Sequence, residues 1–392
     1  MTAPGSVGLR LFVLWLAGIS LRLTLLAIPP VLPLIHRDLR LSETGVAALT
    51  GLPVILLAAA ALPGSLMIAR LGARRALIAG VFLTALASGL RGIGPSAGVL
   101  FAMTFLMGVG IAVSQPAVPA LIHAWLPDHI GVATAVYVNG ILVGEVLSAS
   151  LTIPVVLPLA AGLWGLSLAV WAVPVAFTAL GLAAVTPRLP DASGGPEVLW
   201  WPAWTLAETW RLGLLMSGAS VAYFTANAFI PDVLRASGQP GLIGPCLASL
   251  NIAQLPASLL IGAIAPRVIG RRGPFVMGGL GTLAGLGALV LGRGWHLVLG
   301  SGILGFCAAV ILILALALPP LVASPGDVHR LSAAMFAITY TYSFLAPLLG
   351  GIVWDLSGVP AASLLPAAVS AGTLLAAVPG LRAAGHRIAP AN

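Results

Sequence analysis

The chain has 392 residues, 59% of them hydrophobic and only 7% charged, with a mean hydropathy of +1.10. A soluble domain carries about 25% charged residues, so this composition excludes a water-covered globule and specifies an all-α polytopic membrane protein. The net charge of +8 comes from 18 basic residues, all of them arginine. In a membrane chain these read as orientation signals in short loops rather than as a nucleic-acid surface.

A membrane span needs roughly 20 apolar residues. Twelve stretches qualify: 11–34, 44–69, 76–92, 98–122, 131–156 and 162–185, then 211–233, 241–265, 273–291, 297–320, 331–353 and 361–380. The first is too long for a cleavable signal and lacks a small-residue cleavage site, so it reads as span one. Prolines inside the runs (Pro53, Pro116, Pro154, Pro256) mark expected kinks. Cys246 and Cys307 both lie in apolar runs and read as buried thiols.

Span one carries Arg22 about twelve residues from its cytoplasmic end, roughly 18 Å deep at 1.5 Å per residue. A guanidinium stays charged at any physiological pH. At that depth it needs a wet cavity, a carboxylate or an anionic ligand. The expectation is a fixed positive charge that binds an anion through forked hydrogen bonds; the competing reading is permanent pairing with a carboxylate. Arg91 ends span three just before Gly92, and reads as snorkelling to the outer interface or as a structural or gating residue. Gln115 precedes Pro116 in span four, as cavity lining or kink support.

Glu145 is the one acid deep in a span, about fourteen residues into span five and at a depth similar to Arg22. Thr134, Val138, Ile141, Glu145, Ser148 and Thr152 recur at helical spacing and form one semi-polar face. Gly140 and Gly144 make a small-residue step on which another helix can pack closely. Three readings of Glu145 stand: a proton carrier, a counter-ion that Arg22 releases when substrate arrives, or a static partner of Arg22 or Arg91.

The segment 186–205 is rich in Pro, Gly and Ser and reads as a cytoplasmic linker. It divides the chain into an N-terminal six-helix bundle (1–185) and a C-terminal one (206–392). In the second half, polar residues share helix faces: Ser220, Tyr223 and Asn227 in span seven; Asn251, Gln254 and Ser258 in span eight; Tyr340 and Ser343 beside Tyr342 in span eleven. Tyr223, Asn227, Asn251, Gln254 and Tyr340 join Arg22 and Gln115 as candidate substrate-binding residues, although membrane interiors also use such groups to hold helices together.

The arginines orient the chain. Arg10, Arg70, Arg74, Arg75, Arg188, Arg211, Arg267, Arg271, Arg272, Arg330, Arg382 and Arg387 fall on one side; Arg37, Arg40, Arg235 and Arg293 on the other. This bias places both termini in the cytoplasm of a bacterial-type inner membrane. The halves also resemble each other. Arg70-Leu-Gly-Ala-Arg-Arg75 follows span two and Val268-Ile-Gly-Arg-Arg272 follows span eight, with Gly72 and Gly270 about half the chain apart. Ile28-Pro-Pro-Val-Leu32 in span one matches Ile230-Pro-Asp-Val-Leu234 in span seven. Repeated halves are how many secondary transporters are built.

Other motifs in the chain have simpler readings. His123-Ala-Trp-Leu-Pro-Asp128 has an acyltransferase-like spacing but reads as a loop. The glycine runs lack the strand context of a dinucleotide site. An ATP-binding loop is impossible without lysine. No catalytic set, metal cluster or cofactor site is expected, and the chain reads as a non-enzyme.

Twelve spans, a six-plus-six division and a Gly-Arg-Arg loop after spans two and eight resemble the major facilitator superfamily. Arg70, Gly72 and Arg74 match the later part of that family's loop; Ala69 stands at its aspartate, and Arg267 at the same position of the second copy, where Gly270, Arg271 and Arg272 match. These are candidate gating or structural residues. Leu21-Arg22, Leu32-Pro33, the run from Ala47 to Pro53, Gly89-Leu-Arg91, and Gly108-Val-Gly-Ile111 with Gln115 and Pro119 are similar to the cyanate/2-nitroimidazole permease branch. The resemblance implies two pseudo-symmetric six-helix bundles of the major facilitator fold, with spans one, four, seven and ten around the cavity. It implies alternating-access transport of a small solute: a cyanate-like or other small anion, or a nitro-heteroaromatic, with protons as a possible partner. Efflux of neutral or cationic amphiphiles is the alternative, and a membrane-embedded enzyme or sensor a remote one. The expected partners are the solute and the lipid bilayer, with no nucleic acid, and a monomeric carrier.

Overall fold

The computed structural model describes residues 4–93, 96–185, 199–202, 204–324 and 326–381. Most of the 186–205 linker lies outside these residues, as do Arg188, Arg382 and Arg387. Every regular element among the described residues is helical. Eleven helices or helix runs are long and apolar enough to cross a membrane, and a pair bent by 49°, Gly51–Ala59 with Ala61–Leu71, supplies the twelfth. In lipid no water can satisfy the backbone, so a chain this apolar closes its hydrogen bonds within helices.

The interruptions in the spans have local causes. Span one is Pro4–Leu23 followed, after a turn, by Ile28–Leu39. Pro29 and Pro30 stand at the start of the second piece. Neither has an N–H to offer, so the carbonyls four residues earlier lose their helical donors. Span seven, Ala207–Ala236, carries the matching Ile-Pro-Asp sequence but only Pro231, and remains one continuous helix. The second proline is the sequence difference between the repeats here. Both helices outrun their expected ends, because the apolar run stops before the backbone hydrogen bonding does. In span five the helix Ile130–Leu151 passes into a π-helical turn, Thr152–Val156, at Pro154.

The chain divides into two compact units. One comprises residues 1–128, 136–201 and 325–333; the other 129–135, 202–324 and 334–392. In the first, the helix Ala73–Leu90 packs along Ala97–Trp125, which also receives span two, and span six, Trp164–Val185, packs on Ala73–Leu90. In the second, Ile230, Leu234, Cys246, Leu250, Leu286 and Leu304 form a buried apolar core.

Each unit contains the same small device. Gly72 and Gly270 take φ of +81° and +76°, a backbone conformation in which a side chain is strained. Two residues past each glycine an arginine reaches the end of the last span of its own half. Arg74 Nη2 donates to the Ala183 carbonyl at 2.8 Å. Arg272 Nε and Nη2 donate to the Leu381 carbonyl at 3.0 and 2.6 Å. The two donors are separated along the chain by the same interval as the two acceptors, and as the two glycines. Arg70 and Arg271, beside them, are exposed.

Candidate functional site

Glycine brings spans one and five together. A Cβ on Gly140 would stand 3.2 Å from Trp15 Cα, and one on Gly144 would stand 3.0 Å from Ile19 Cα. Gly18 faces the backbone of Tyr137 and Ile141 in return. The pairings advance together along both helices, so the two run in the same direction. Trp15 Nε1 donates to Asn139 Oδ1 at 2.9 Å in the same contact. The polar face expected on span five is turned inward: Thr134, Val138, Ser148 and Thr152 are all buried.

One turn beyond the last glycine contact, Arg22 meets Glu145. Arg22 Nε lies 3.4 Å from Glu145 Oε1. A closed charge-assisted hydrogen bond is about 2.7–2.9 Å, so at these two atoms the contact is an ion pair rather than a closed hydrogen bond. The side chains keep 12% and 16% of their surface accessible. Neither charge lies in open solvent, and Arg22 Nε itself is covered by the protein. Both residues fall within two positions of the centres of their 33-residue spans, Val7–Leu39 and Pro127–Leu159. Of the readings open for Glu145, a partnership with Arg91 is not what the structure forms. Arg91 is fully buried instead of snorkelling to the interface, and its Nη2 donates to the Thr24 carbonyl at 2.8 Å and to Ser88 Oγ at 2.9 Å. Gln115 is buried in span four.

The second unit holds an uncharged counterpart. Tyr223 Oη donates to Asn251 Oδ1 at 2.7 Å. Asn251 Nδ2 donates to the Leu247 carbonyl at 2.8 Å and approaches Asn227 Oδ1 at 3.4 Å. Asn227 Nδ2 donates to the Tyr223 carbonyl at 3.0 Å. Spans seven and eight are thereby joined through Tyr223, Asn227 and Asn251, three of the candidate substrate-binding residues. Gln254 and Tyr340 are buried, with Tyr340 stacked on Phe336 at 6.0 Å between ring centroids. Sequence reasoning missed Asn139, Thr24 and Ser88. Asn139 carried a usable signal, as an amide directly beside the Gly140 step. Among the described residues no group of three or more His, Cys, Asp or Glu side chains is placed to hold a metal ion.

The family model for the Major Facilitator Superfamily matches residues 14–236. The chain belongs to that superfamily. It is 26% identical to the cyanate transport protein CynX of Escherichia coli over 358 residues, covering 89% of this chain and 90% of that one. It is 24% identical to the 2-nitroimidazole transporter of the same organism over 390 residues, covering 97% and 98%. A transporter of Bacillus subtilis, YycB, is 25% identical over 294 residues, 72% of each chain. Among solved structures, the proton:xylose symporter XylE superposes with a TM-score of 0.75 at 13% identity, over 96% of this chain and 95% of that one. The fucose transporter FucP superposes at 0.73 and 14%, over 95% and 98%. These place the fold: twelve helices in two six-helix bundles. This facilitator is therefore a multi-pass membrane transporter for a small solute, and not an enzyme.

Proposed function

We propose that this facilitator moves a small anion, or a small heteroaromatic with an electronegative nitro group, by alternating access, and that Arg22 is its anchor. The observation that carries the reading is the Arg22–Glu145 charge pair, 3.4 Å apart at the centre of the first unit's spans. An incoming anion replaces Glu145 on the guanidinium with a forked, charge-assisted contact. Glu145, once released, is the residue that takes a proton. The names of two relatives fit this chemistry: cyanate is a compact anion, and a nitro group presents two partly negative oxygens. Tyr223, Asn227, Asn251, Gln254 and Tyr340, with Gln115, supply uncharged donors and acceptors. The working unit is a monomer of two halves, 1–185 and 206–392, with both termini in the cytoplasm.

The test is uptake of labelled cyanate and of 2-nitroimidazole into proteoliposomes. Arg22→Gln is expected to raise KM for the transported probe tenfold or more, with Arg22→Lys in between, because a lysine keeps the charge but loses the fork. Wild-type KM in both variants removes Arg22 as the anchor. Glu145→Gln that still moves protons with the probe removes proton carriage from Glu145.

A second reading draws on the same pair. With Arg22 already neutralised, the site suits a neutral or cationic amphiphile and the chain would work in efflux. Wild-type vesicles that expel ethidium and ignore both anionic and nitro probes would favour it.

A further inference from the structure

Among the described residues, Arg91 is the largest side chain buried without any exposure. It caps the helix Ala73–Leu90, its own N–H bonded to the Ala87 carbonyl. Its Nη2 reaches across to the Thr24 carbonyl at 2.8 Å and also binds Ser88 Oγ. Among the described residues its Nε and Nη1 have no hydrogen-bond partner, and neither has open surface beside it for a water molecule. A buried guanidinium with open donors and no carboxylate is a poor way to stabilise a bundle; an apolar side chain of the same volume usually does as well or better. Its place must be explained by what it holds.

What it holds is the break in span one. The helix Pro4–Leu23 ends where Pro29 and Pro30 withdraw their donors, and Thr24 is the first residue of the intervening turn. The carbonyl end of a helix carries partial negative charge, which a cation there satisfies. Arg91 does so from another span. Arg22 lies in the last turn of the same helix, two residues before the clamped carbonyl, and its own carbonyl accepts from Leu26 N at 3.1 Å within the turn. The backbone that aims Arg22 at Glu145 is thus tied on one side by the Gly144 contact and on the other by Arg91.

We propose that Arg91 is a positioning residue for the solute: by clamping the Thr24 carbonyl it fixes the interrupted turn of span one and so the direction of the Arg22 guanidinium. The proposal rests on the reading of Arg22 as the anchor. It makes Arg91 act through Arg22, with no contact of its own to the solute.

The experiment is a double-mutant cycle on reconstituted full-length protein, using cyanate and 2-nitroimidazole uptake. Arg91→Met is expected to raise KM fivefold or more while leaving the melting temperature within a few degrees of wild type. Arg91→Lys, which keeps one donor for Thr24, is expected to restore most of the affinity. In an Arg22→Gln background, Arg91→Met should change KM no further, since the residue it positions is gone. Hydrogen exchange of peptides covering residues 22–28 should speed up in Arg91→Met and not in Arg91→Lys. The proposal is overturned if Arg91→Met lowers folded yield and melting temperature with KM unchanged, if the two substitutions raise KM multiplicatively, or if exchange at 22–28 is unaltered. A different result, Arg22→Gln with wild-type KM or a wild type that takes up neither probe, defeats the anchor reading, while the exchange measurement still decides whether Arg91 clamps the turn.

Discussion

Trp15 and Asn139 are joined by a 2.9 Å hydrogen bond from Nε1 to Oδ1, one residue from the point where Gly140 meets the Trp15 backbone. A directional bond beside a close helix crossing fixes how far one helix can slide along the other. Trp15→Phe and Asn139→Leu should each cost about 1 kcal/mol, the typical net worth of an internal hydrogen bond. The double variant should cost less than the sum of the two, read from thermal unfolding in detergent. Full additivity would mean that the bond carries no coupling.

Gly144→Ala places a methyl group 3.0 Å from Ile19 Cα. The backbones must part to admit it, at a cost of about 1–3 kcal/mol for overpacking. Because Glu145 is the next residue, this variant is also expected to raise the KM of the transported probe. Gly181→Ala is the control: a Cβ there meets nothing within 4 Å, and its melting temperature should stay at the wild-type value.

Gly72→Ala and Gly270→Ala should behave as twins. Both force a Cβ into a left-handed φ, at about 1–2 kcal/mol, and both disturb the loop from which Arg74 or Arg272 ties down its own half's last span. Matching drops in melting temperature are expected. A large drop in one and none in the other would show that the two loops have diverged in their mechanical role.

Asn251→Leu removes the acceptor of the Tyr223 hydroxyl and the donor to the Leu247 carbonyl. Losing an internal hydrogen bond costs about 1 kcal/mol. Tyr223→Phe made in the same background should cost less than it does alone, because the bond the two residues share is already gone. Melting curves of the single and double variants check this; fully additive losses refute the coupling of the hydroxyl to Asn251.

Composition and hydropathy made the spans legible, and the Gly-Arg-Arg loops exposed the repeat, because glycine and arginine are needed there for backbone and charge reasons that survive in a single sequence. The depth match of Arg22 and Glu145 was also readable, since helical rise converts position into depth. The interruption at Pro29-Pro30 was not, because the same residues also look like the end of an apolar run, and only the hydrogen bonding of Ile28–Leu39 shows that the helix resumes. Arg91 kept two readings in the sequence for a related reason, and its burial removes the snorkelling one. An arginine at a span end looks alike in sequence whether it reaches outward to lipid headgroups or folds back into the protein. What separates the two is a carbonyl, that of Thr24, which bears no side-chain signature.

The Arg22–Glu145 couple sums to no formal charge. On the proposed reading, a carrier holding a monovalent anion there is negative by one unit, while the empty carrier is neutral. The membrane potential then acts on the loaded journey alone, at about 2.3 kcal/mol per 100 mV for a charge crossing the full thickness. If Glu145 accepts a proton whenever the anion binds, the loaded form is neutral as well, and the potential has no purchase on either leg. Two side chains 3.4 Å apart therefore decide whether the transport cycle generates an electrical current.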